Sequence, residues 1–399
     1  MTKPLGLVLA SALTLAFIGL APLLQPAWLL TLFLIPFSLI LFLIRDTRYV
    51  SLSIIALALL YGLGWLSTFV FTCTLGIVVI GELAFRLTGR KQASYLHHLV
   101  AAVGISLAVM FYLRYTAPLV VVMGVVAAVL LRAALRGRDD VLMIEALGVA
   151  MTMFLFEELN FEVDLTILVA AALIGFGFGY TAYRFRVADV SGLFSGAMIG
   201  IILIVFADVR WFLIMLTFFI IGAGATRYRY GDKERLGVAQ EHGGVRGYFN
   251  VFANGLVATG AAILFGVTGH PAFVALYLGS VASAAADTAA SEIGVTGKTP
   301  YLITTLQPVP RGTNGGVTLR GEAAAVVASF LVAAVAWVMG VADPWMVVVT
   351  VVAGFIGTNI DSLVGATLEN SGRIGNSGTN LTATFFGGIS GMLIYMLLG

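Results

Sequence analysis

Apolar stretches of about 20 residues, the length of a membrane-crossing helix, recur from one end of this chain to the other. A helix can cross a bilayer because it pairs its backbone polar groups internally. The composition agrees: 60% of the 399 residues are hydrophobic, 11% are charged, and the mean hydropathy is +1.03. Soluble domains do not have this balance. The sequence therefore predicts an all-α fold, a polytopic transmembrane helical bundle.

We count about 15 apolar stretches by length and hydropathy. The first, Leu5–Leu24, has the length of a span and is followed at once by another, so we expect a retained helix and not a cleaved signal. The predicted spans are residues 5–24, 27–44, 49–63, 66–86, 95–113, 117–135, 141–157, 164–182, 191–206, 210–225, 248–267, 271–289, 320–340, 344–363 and 380–398.

The basic residues predict how the spans are threaded. With the N-terminus in the cytoplasm, 20 of the 22 Lys and Arg residues lie on the cytoplasmic side, and only Arg114 and Arg210 lie outside. Membrane proteins generally carry this excess of basic residues on the cytoplasmic side. We therefore expect a protein of the cell membrane whose functional face is cytoplasmic.

The two halves of the chain differ, and we predict two domains, 1–185 and 186–399. The first is a plain helical bundle of unknown role with short basic turns. Its Glu82 and Glu145 lie inside spans, and we expect each to pair with an arginine near in sequence: Arg86 and Arg138, respectively. The second half is rich in Gly, Ala and Ser, which let helices pack closely in lipid.

Three polar, glycine-containing loops interrupt the second half, at residues 246–255, 287–316 and 361–380. The threading places all three on the cytoplasmic side. Polar side chains in or next to the hydrocarbon core of a membrane cost free energy, so their presence there marks a candidate functional site. These loops are therefore predicted to form the site, in a catalytic domain.

Three carboxylates in these loops are candidate magnesium ligands: Asp287, Glu292 and Asp361. Magnesium binds few carboxylates and shares the oxygens of substrate phosphates. On a regular helix Asp287 shares a face with Ser291, but it lies roughly 140° from Glu292. A helix end at Gly294 would allow Glu292 to swing round. The alternative is a polar helix end that faces the cytoplasm.

The segment from Arg311 to Gly316 is the best candidate for a phosphate cradle. Its glycines let backbone N–H groups approach an anion, Arg311 can bind the anion, and a helix starts soon after. An ordinary glycine turn is the alternative. The candidate ligands of this segment are Arg311, Thr313, Asn314, Gly315 and Gly316.

Further polar residues are predicted to lie at the same cytoplasmic surface of the membrane. Asn250 and Asn254 share a helix face, although an interhelical hydrogen bond explains them equally well. Gly297-Lys298-Thr299 is similar to the end of a Walker A motif, but Glu292 replaces the required first glycine and Pro300 blocks the next helix. The remaining candidates are Arg246, Ser291, Lys298, Asn376 and Asn380, with His242 as a minor one.

At these loops the sequence resembles an integral membrane family that includes the plant chloroplast phytyl-phosphate kinase and animal transmembrane protein 19. The resemblance covers about residues 190–399, over many short motifs. These are Gly243-Gly244-Val245-Arg246, Asn250-Val251, Ala253-Asn254-Gly255, Ala286-Asp287-Thr288, Ala290-Ser291-Glu292-Ile293-Gly294, Lys298-Thr299-Pro300, Ile303-Thr304-Thr305, Pro308-Val309-Pro310, Gly312-Thr313-Asn314-Gly315-Gly316-Val317, Asp361-Ser362-Leu363 and Gly365-Ala366-Thr367.

The family is more distantly similar to phytol and dolichol kinases, which use CTP. The resemblance therefore implies a magnesium-dependent kinase that moves the γ-phosphate of a nucleotide, CTP by preference, to an isoprenoid monophosphate such as phytyl or geranylgeranyl phosphate. Membrane lipid is an expected partner, nucleic acid is not, and a homo-oligomer is one of the states that the sequence allows.

Two other functions stay open. A cytidylyltransferase that makes a CDP-activated lipid would use similar magnesium and phosphate ligands. A transporter or flippase of lipid phosphates would instead place polar residues at the midplane and on both sides of the membrane. In the predicted threading, the polar residues of this chain cluster on one side of the membrane, which favours an enzyme.

Overall fold

The computed structural model describes residues 5–89, 93–239 and 244–398, without the side chain of Arg45. The predictions that concern Lys3, Arg90, Lys91, His242 and Gly243 lie outside the described residues. The chain forms two compact units, residues 1–165 and 166–399. This division follows packing, whereas the predicted boundary at 185/186 separates regions by role and stays a prediction.

Unit 1 is a bundle of seven described helices, in which a single 3-10 turn, Arg45–Thr47, joins α2 to α3. The central helix α4 packs against α5, α1 and α7, and its N-terminus is capped by the Ser67 hydroxyl, which accepts from the Val70 N–H at 3.1 Å. The helices are α1 (Leu5–Leu20), α2 (Ala27–Phe42), α3 (Arg48–Gly62), α4 (Thr68–Leu87), α5 (Ala93–Leu113), α6 (Pro118–Ala134) and α7 (Val141–Glu158).

Unit 2 holds nine described helices and one short antiparallel strand pair, in which Tyr301 is paired with Val317. A π-helical turn, Gly365–Glu369, continues α15 without a break. The elements are α8 (Leu165–Arg184), α9 (Val190–Phe206), α10 (Val209–Arg227), α11 (Tyr230–Arg235), α12 (Tyr248–Thr268), α13 (Ala272–Gly294), β1 (Tyr301–Leu302), β2 (Gly316–Val317), α14 (Leu319–Val338), α15 (Pro344–Val364) and α16 (Asn376–Leu398).

Helix α13 is the centre of unit 2, where it packs against α10, α12, α14, α15 and α16. Small residues make this possible. A Cβ at Gly279 would lie 2.6 Å from the carbonyl oxygen of Gly387 on α16, so the two backbones are in direct contact. Close backbone approach through small residues is how helices gain packing energy in lipid.

The predicted all-α, polytopic fold is confirmed. Among the described residues, nine helices are long and apolar enough to cross a membrane, and five shorter apolar helices accompany them. The total of about 15 spans and the cytoplasmic N-terminus stay predictions. The third polar loop is a correction: most of residues 361–380 is helical, because α15 runs on through its π-turn and α16 begins at Asn376.

The close contact at Gly279 predicts a large effect of one methyl group. Gly279→Ala forces α13 away from α16, and we expect it to lower the free energy of unfolding by about 1–3 kcal/mol. Gly260→Ala on α12 is the matched control, because a Cβ there meets nothing within 4 Å. Thermal unfolding in detergent should show a lower Tm for Gly279→Ala alone, and equal Tm values for the two variants would contradict this packing.

Candidate active site

Two carboxyl groups meet where α13 packs against α15. Asp287 of α13 and Asp361 of α15 are within hydrogen-bonding reach of each other, and Ser291 hydrogen-bonds Asp287 from the next turn. The Oδ1 atom of Asp361 is inaccessible to solvent and has no hydrogen-bond partner among the described residues. The structure therefore brings together two of the three predicted metal ligands.

No basic side chain neutralises this pair: within the described ranges, neither aspartate forms an ion pair with a Lys, Arg or His. Glu369 adds a further negative charge nearby. Adjacent, mostly buried carboxyl groups share a proton unless a cation lies between them and allows both to be charged. The pair can therefore take a cation in place of the shared proton.

The residues fit magnesium that is shared with a phosphate ligand. No group of three or more His, Cys, Asp and Glu side chains among the described residues is arranged to hold a metal ion alone. Magnesium does not need such a group, because it keeps waters and takes other oxygens from substrate phosphates. The carboxylate oxygens of the two aspartates, among them the unpartnered Oδ1 of Asp361, are a donor set of that kind.

A cavity of about 350 Å³ lies beside the aspartates, between α13, α14, α15 and the loop that precedes α14. Ten of the sequence-predicted site residues line it. They are Asp287, Ser291, Glu292, Arg311, Thr313, Asn314, Gly315, Gly316, Asp361 and Asn376.

The glycine loop at this cavity is held in a defined shape. Gly312 and Gly315 have φ values of +82° and +77°, which side-chain-bearing residues rarely adopt. The Gly315 carbonyl accepts from the Ile303 N–H at 3.0 Å, which ties the loop to the strand pair. Thr318 then caps α14 by accepting from the Gly321 N–H at 3.0 Å.

This loop has free donors. Within the described part of the chain, the N–H groups of Gly312, Asn314 and Gly315 donate no hydrogen bond, and exposed Arg311 forms no ion pair. Free backbone N–H groups with a guanidinium make an anion-binding concavity. The cavity is thus lined both by carboxylates that suit a cation and by a donor-rich loop that suits an anion, and the loop packs next to Asp361, against Ser362 of α15 and Ala366 of the π-turn.

Glu292 is placed differently from the prediction. The helix ends at Gly294 as predicted, but α13 is regular up to that residue, so Glu292 is not swung round towards Asp287. Its carboxylate accepts from the ammonium of Lys233, and both side chains are buried, at 6% and 1% exposure. Lys233 also donates to the carbonyl oxygens of Ala225 and Thr226, at 3.0 and 2.8 Å.

Arg246 lines a different, mainly apolar cleft, formed by α8, α9, α10 and α12. Its guanidinium lies over the rings of Phe218 and Phe219, at 5.2 and 4.8 Å, and its Nη1 has no partner among the described residues. Burial lowers the pKa of Arg246 to about 10, partly offset by the charge of Glu292. Asn250 lines the same cleft, which shares no lining residue with the cavity at Asp287.

Three predicted residues lie in neither cavity. Asn254 is buried and donates from its side chain to the Asn250 carbonyl at 2.9 Å, which is a bond within one helix and not the alternative interhelical one. Lys298 is exposed, and Asn380 is buried in α16.

The sequence interpretation missed three charged residues around the cavity. Glu369 lines it because the π-turn keeps the chain helical past Asp361, and its carboxylate accepts from Thr379 at 3.1 Å. Glu322 lines it too and accepts from Asn359 at 3.2 Å. Lys233 gave no sequence signal, because its partner is 59 residues away. The spacing of eight residues from Asp361 to Glu369, about two helical turns, could have indicated Glu369.

Comparison with known proteins agrees with the resemblance seen in the sequence. Residues 173–388, more than half of the chain, match the family described as Integral membrane protein DUF92. An uncharacterised membrane protein of Methanocaldococcus jannaschii is 35% identical over 214 residues, which are 53% of this chain and 88% of that protein. No solved structure matches the chain.

Two further relatives match shorter parts of the chain. An uncharacterised membrane protein of Synechocystis is 37% identical over 177 residues, which cover 43% of this chain and 69% of that protein. The chloroplastic protein VTE6 of Arabidopsis thaliana is 38% identical over 165 residues, which cover 40% of this chain and 50% of that protein.

The buried pair of Lys233 and Glu292 predicts an asymmetric response to mutation. Lys233→Met leaves an uncompensated buried carboxylate, and we expect it to lower the free energy of unfolding by about 3–5 kcal/mol. The double variant Lys233→Met/Glu292→Leu should recover most of that loss, and Lys298→Met is an exposed control. Thermal unfolding measures all three. A double variant as unstable as Lys233→Met would show that the two charges do not act as a pair.

Proposed function

The chain belongs to the Integral membrane protein DUF92 family, and we propose that it is a membrane kinase that transfers the terminal phosphate of a nucleotide to an isoprenoid monophosphate. The observation that carries the proposal is the pairing of Asp287 and Asp361, without a basic partner, at the cavity that the Arg311–Gly316 loop also lines. The family resemblance to the plant phytyl-phosphate kinase supports the substrate class.

In the proposed reaction, an oxygen of the lipid monophosphate attacks the γ-phosphorus of the nucleoside triphosphate. The bond from that phosphorus to the bridging oxygen breaks, and a nucleoside diphosphate and a lipid diphosphate leave. Phosphoryl transfer needs mainly positioning and charge stabilisation. The acceptor is already an anion, so the site needs no strong general base.

Each set of lining residues has one role in this proposal. Asp287 and Asp361 hold magnesium, which when bound neutralises charge on the donor phosphates. Arg311 and the free N–H groups of Gly312, Asn314 and Gly315, which line the same cavity, would hold and orient the phosphates. Glu292 is assigned a structural role, because Lys233 already neutralises its charge.

The remaining assignments concern the lipid and the donor. Arg246 and Asn250 border an apolar cleft of only about 30 Å³, room for about one or two water molecules, so neither residue is assigned to the lipid tail or to the nucleotide. CTP is the proposed donor, because the related phytol and dolichol kinases use it. The threading of the basic residues supports a cavity that opens to the cytoplasm from the cell membrane.

The proposal predicts a labelled lipid diphosphate. Purified protein with magnesium, geranylgeranyl monophosphate and γ-labelled CTP should transfer the label to the lipid. We expect Asp287→Asn and Asp361→Asn each to reduce the rate about 10²–10³-fold, as when one charge-stabilising group is lost. The exposed carboxylate variant Glu234→Gln should keep the wild-type rate.

Thin-layer chromatography of the products separates this function from its rival. Label in a lipid diphosphate with release of CDP supports the kinase. Labelled pyrophosphate with a CDP-lipid would replace the kinase by a cytidylyltransferase. No transfer from CTP, ATP, GTP or UTP to any prenyl monophosphate would contradict both enzymes.

A further inference from the structure

Unit 1 holds a second large cavity, of about 780 Å³, that the proposed reaction does not use. It lies where α2, α4 and α6 end and α3, α5 and α7 begin, so one end of the bundle forms it. All its lining residues lie between residues 42 and 142, outside the segment that matches the family. Five arginines line it: Arg48, Arg86, Arg132, Arg136 and Arg138.

Two of these arginines are unpaired among the described residues. Asp46, Glu82 and Asp139 also line the cavity, and Arg132 and Arg138 pair in addition with Glu145 and Asp140, which do not line it. Within the described residues, Arg48 and Arg136 form no ion pair. Guanidinium groups without an ion-pair partner are free to donate charged hydrogen bonds, and their planar geometry suits phosphate oxygens.

Arg132 is fixed at the base of the cavity. Its guanidinium donates to Glu82 and to Glu145, both buried, and it lies over the Phe85 ring at 5.0 Å. Arg86 donates to the other oxygen of Glu82. The expected pair of Glu82 with Arg86 is thus confirmed, whereas the expected pair of Glu145 with Arg138 is wrong, because Arg138 pairs with Asp140 at 2.8 Å.

This network distinguishes the cavity from the candidate active site. Arginine already holds both buried carboxylates, so the cavity offers no unpartnered pair like Asp287 and Asp361. The geometry fits binding of an anion without a reaction. Apolar side chains such as Phe42, Leu52 and Leu142 form a large part of the wall, so the ligand has an apolar part as well.

We propose that the arginine cavity of unit 1 binds an anionic amphiphile with a phosphate monoester headgroup, with the phosphate between Arg48 and Arg136 and the apolar part against the aliphatic and aromatic wall. This site would let unit 1 hold an anionic lipid independently of the cavity in unit 2. The proposal does not rest on the kinase function, since no residue of unit 2 takes part.

A fluorescent reporter in the cavity tests the proposal. Cys73 is fully buried, so in the full-length Tyr49→Cys protein the thiol at the exposed position 49, which lines the cavity and carries no charge, is the one that a bimane probe labels. The labelled protein in neutral detergent is titrated with dihexanoyl phosphatidic acid, dihexanoyl phosphatidylcholine or inorganic phosphate. We expect a saturable response to phosphatidic acid, none to phosphatidylcholine, and a far weaker one to inorganic phosphate.

Charge variants identify the binding groups. Arg48→Gln and Arg136→Gln should each weaken phosphatidic acid binding about tenfold, the usual value of one charged hydrogen bond. Arg114→Gln removes the same charge from the loop between α5 and α6 and should leave binding unchanged. Equal weakening in all three variants, or an equal response to phosphatidylcholine, would overturn the proposal. Inorganic phosphate that binds as tightly as phosphatidic acid would overturn the amphiphilic ligand class.

Discussion

The repulsion between two neighbouring carboxyl groups, Asp287 and Asp361, is the constraint on which unit 2 depends. Helices α13 and α15 hold them together through packing of small side chains, and no described basic residue offsets their charge. A fold keeps such an arrangement only if the surrounding structure imposes it and a ligand or a proton relieves it. Sites of this kind are typical of function, since stability alone selects against them.

Helix α13 carries both a charged group that is placed to bind a ligand and a charged group that stabilises the fold through an ion pair. It carries Asp287 and Ser291 to the cavity, and it carries Glu292, which also lines the cavity, to a buried pair with Lys233. The pair ties α13 to the short helix α11, and so stabilises the helix that presents the aspartates. In unit 1, Arg132 neutralises the buried carboxylates of Glu82 and Glu145 in the same way.

Much of this arrangement could be predicted from the sequence. Hydropathy predicted the helices. Polar residues next to the membrane-spanning segments predicted Asp287, Asp361 and the Arg311–Gly316 loop as site residues, because such side chains are unusual close to the hydrocarbon core. Partners distant in sequence could not be predicted. Lys233 finds Glu292 through tertiary packing, and the π-turn that carries Glu369 to the cavity lies in a segment whose glycines indicate a loop.

The stability of Asp361→Asn with and without magnesium tests the central claim most directly. If the two aspartates repel each other when neither a proton nor a cation joins them, Asp361→Asn is more stable than the wild-type protein in EDTA at alkaline pH. Magnesium with CTP then raises the Tm of the wild-type protein but not that of the variant. A variant that is less stable than the wild-type protein in EDTA, and that gains as much from magnesium and CTP, would contradict the account.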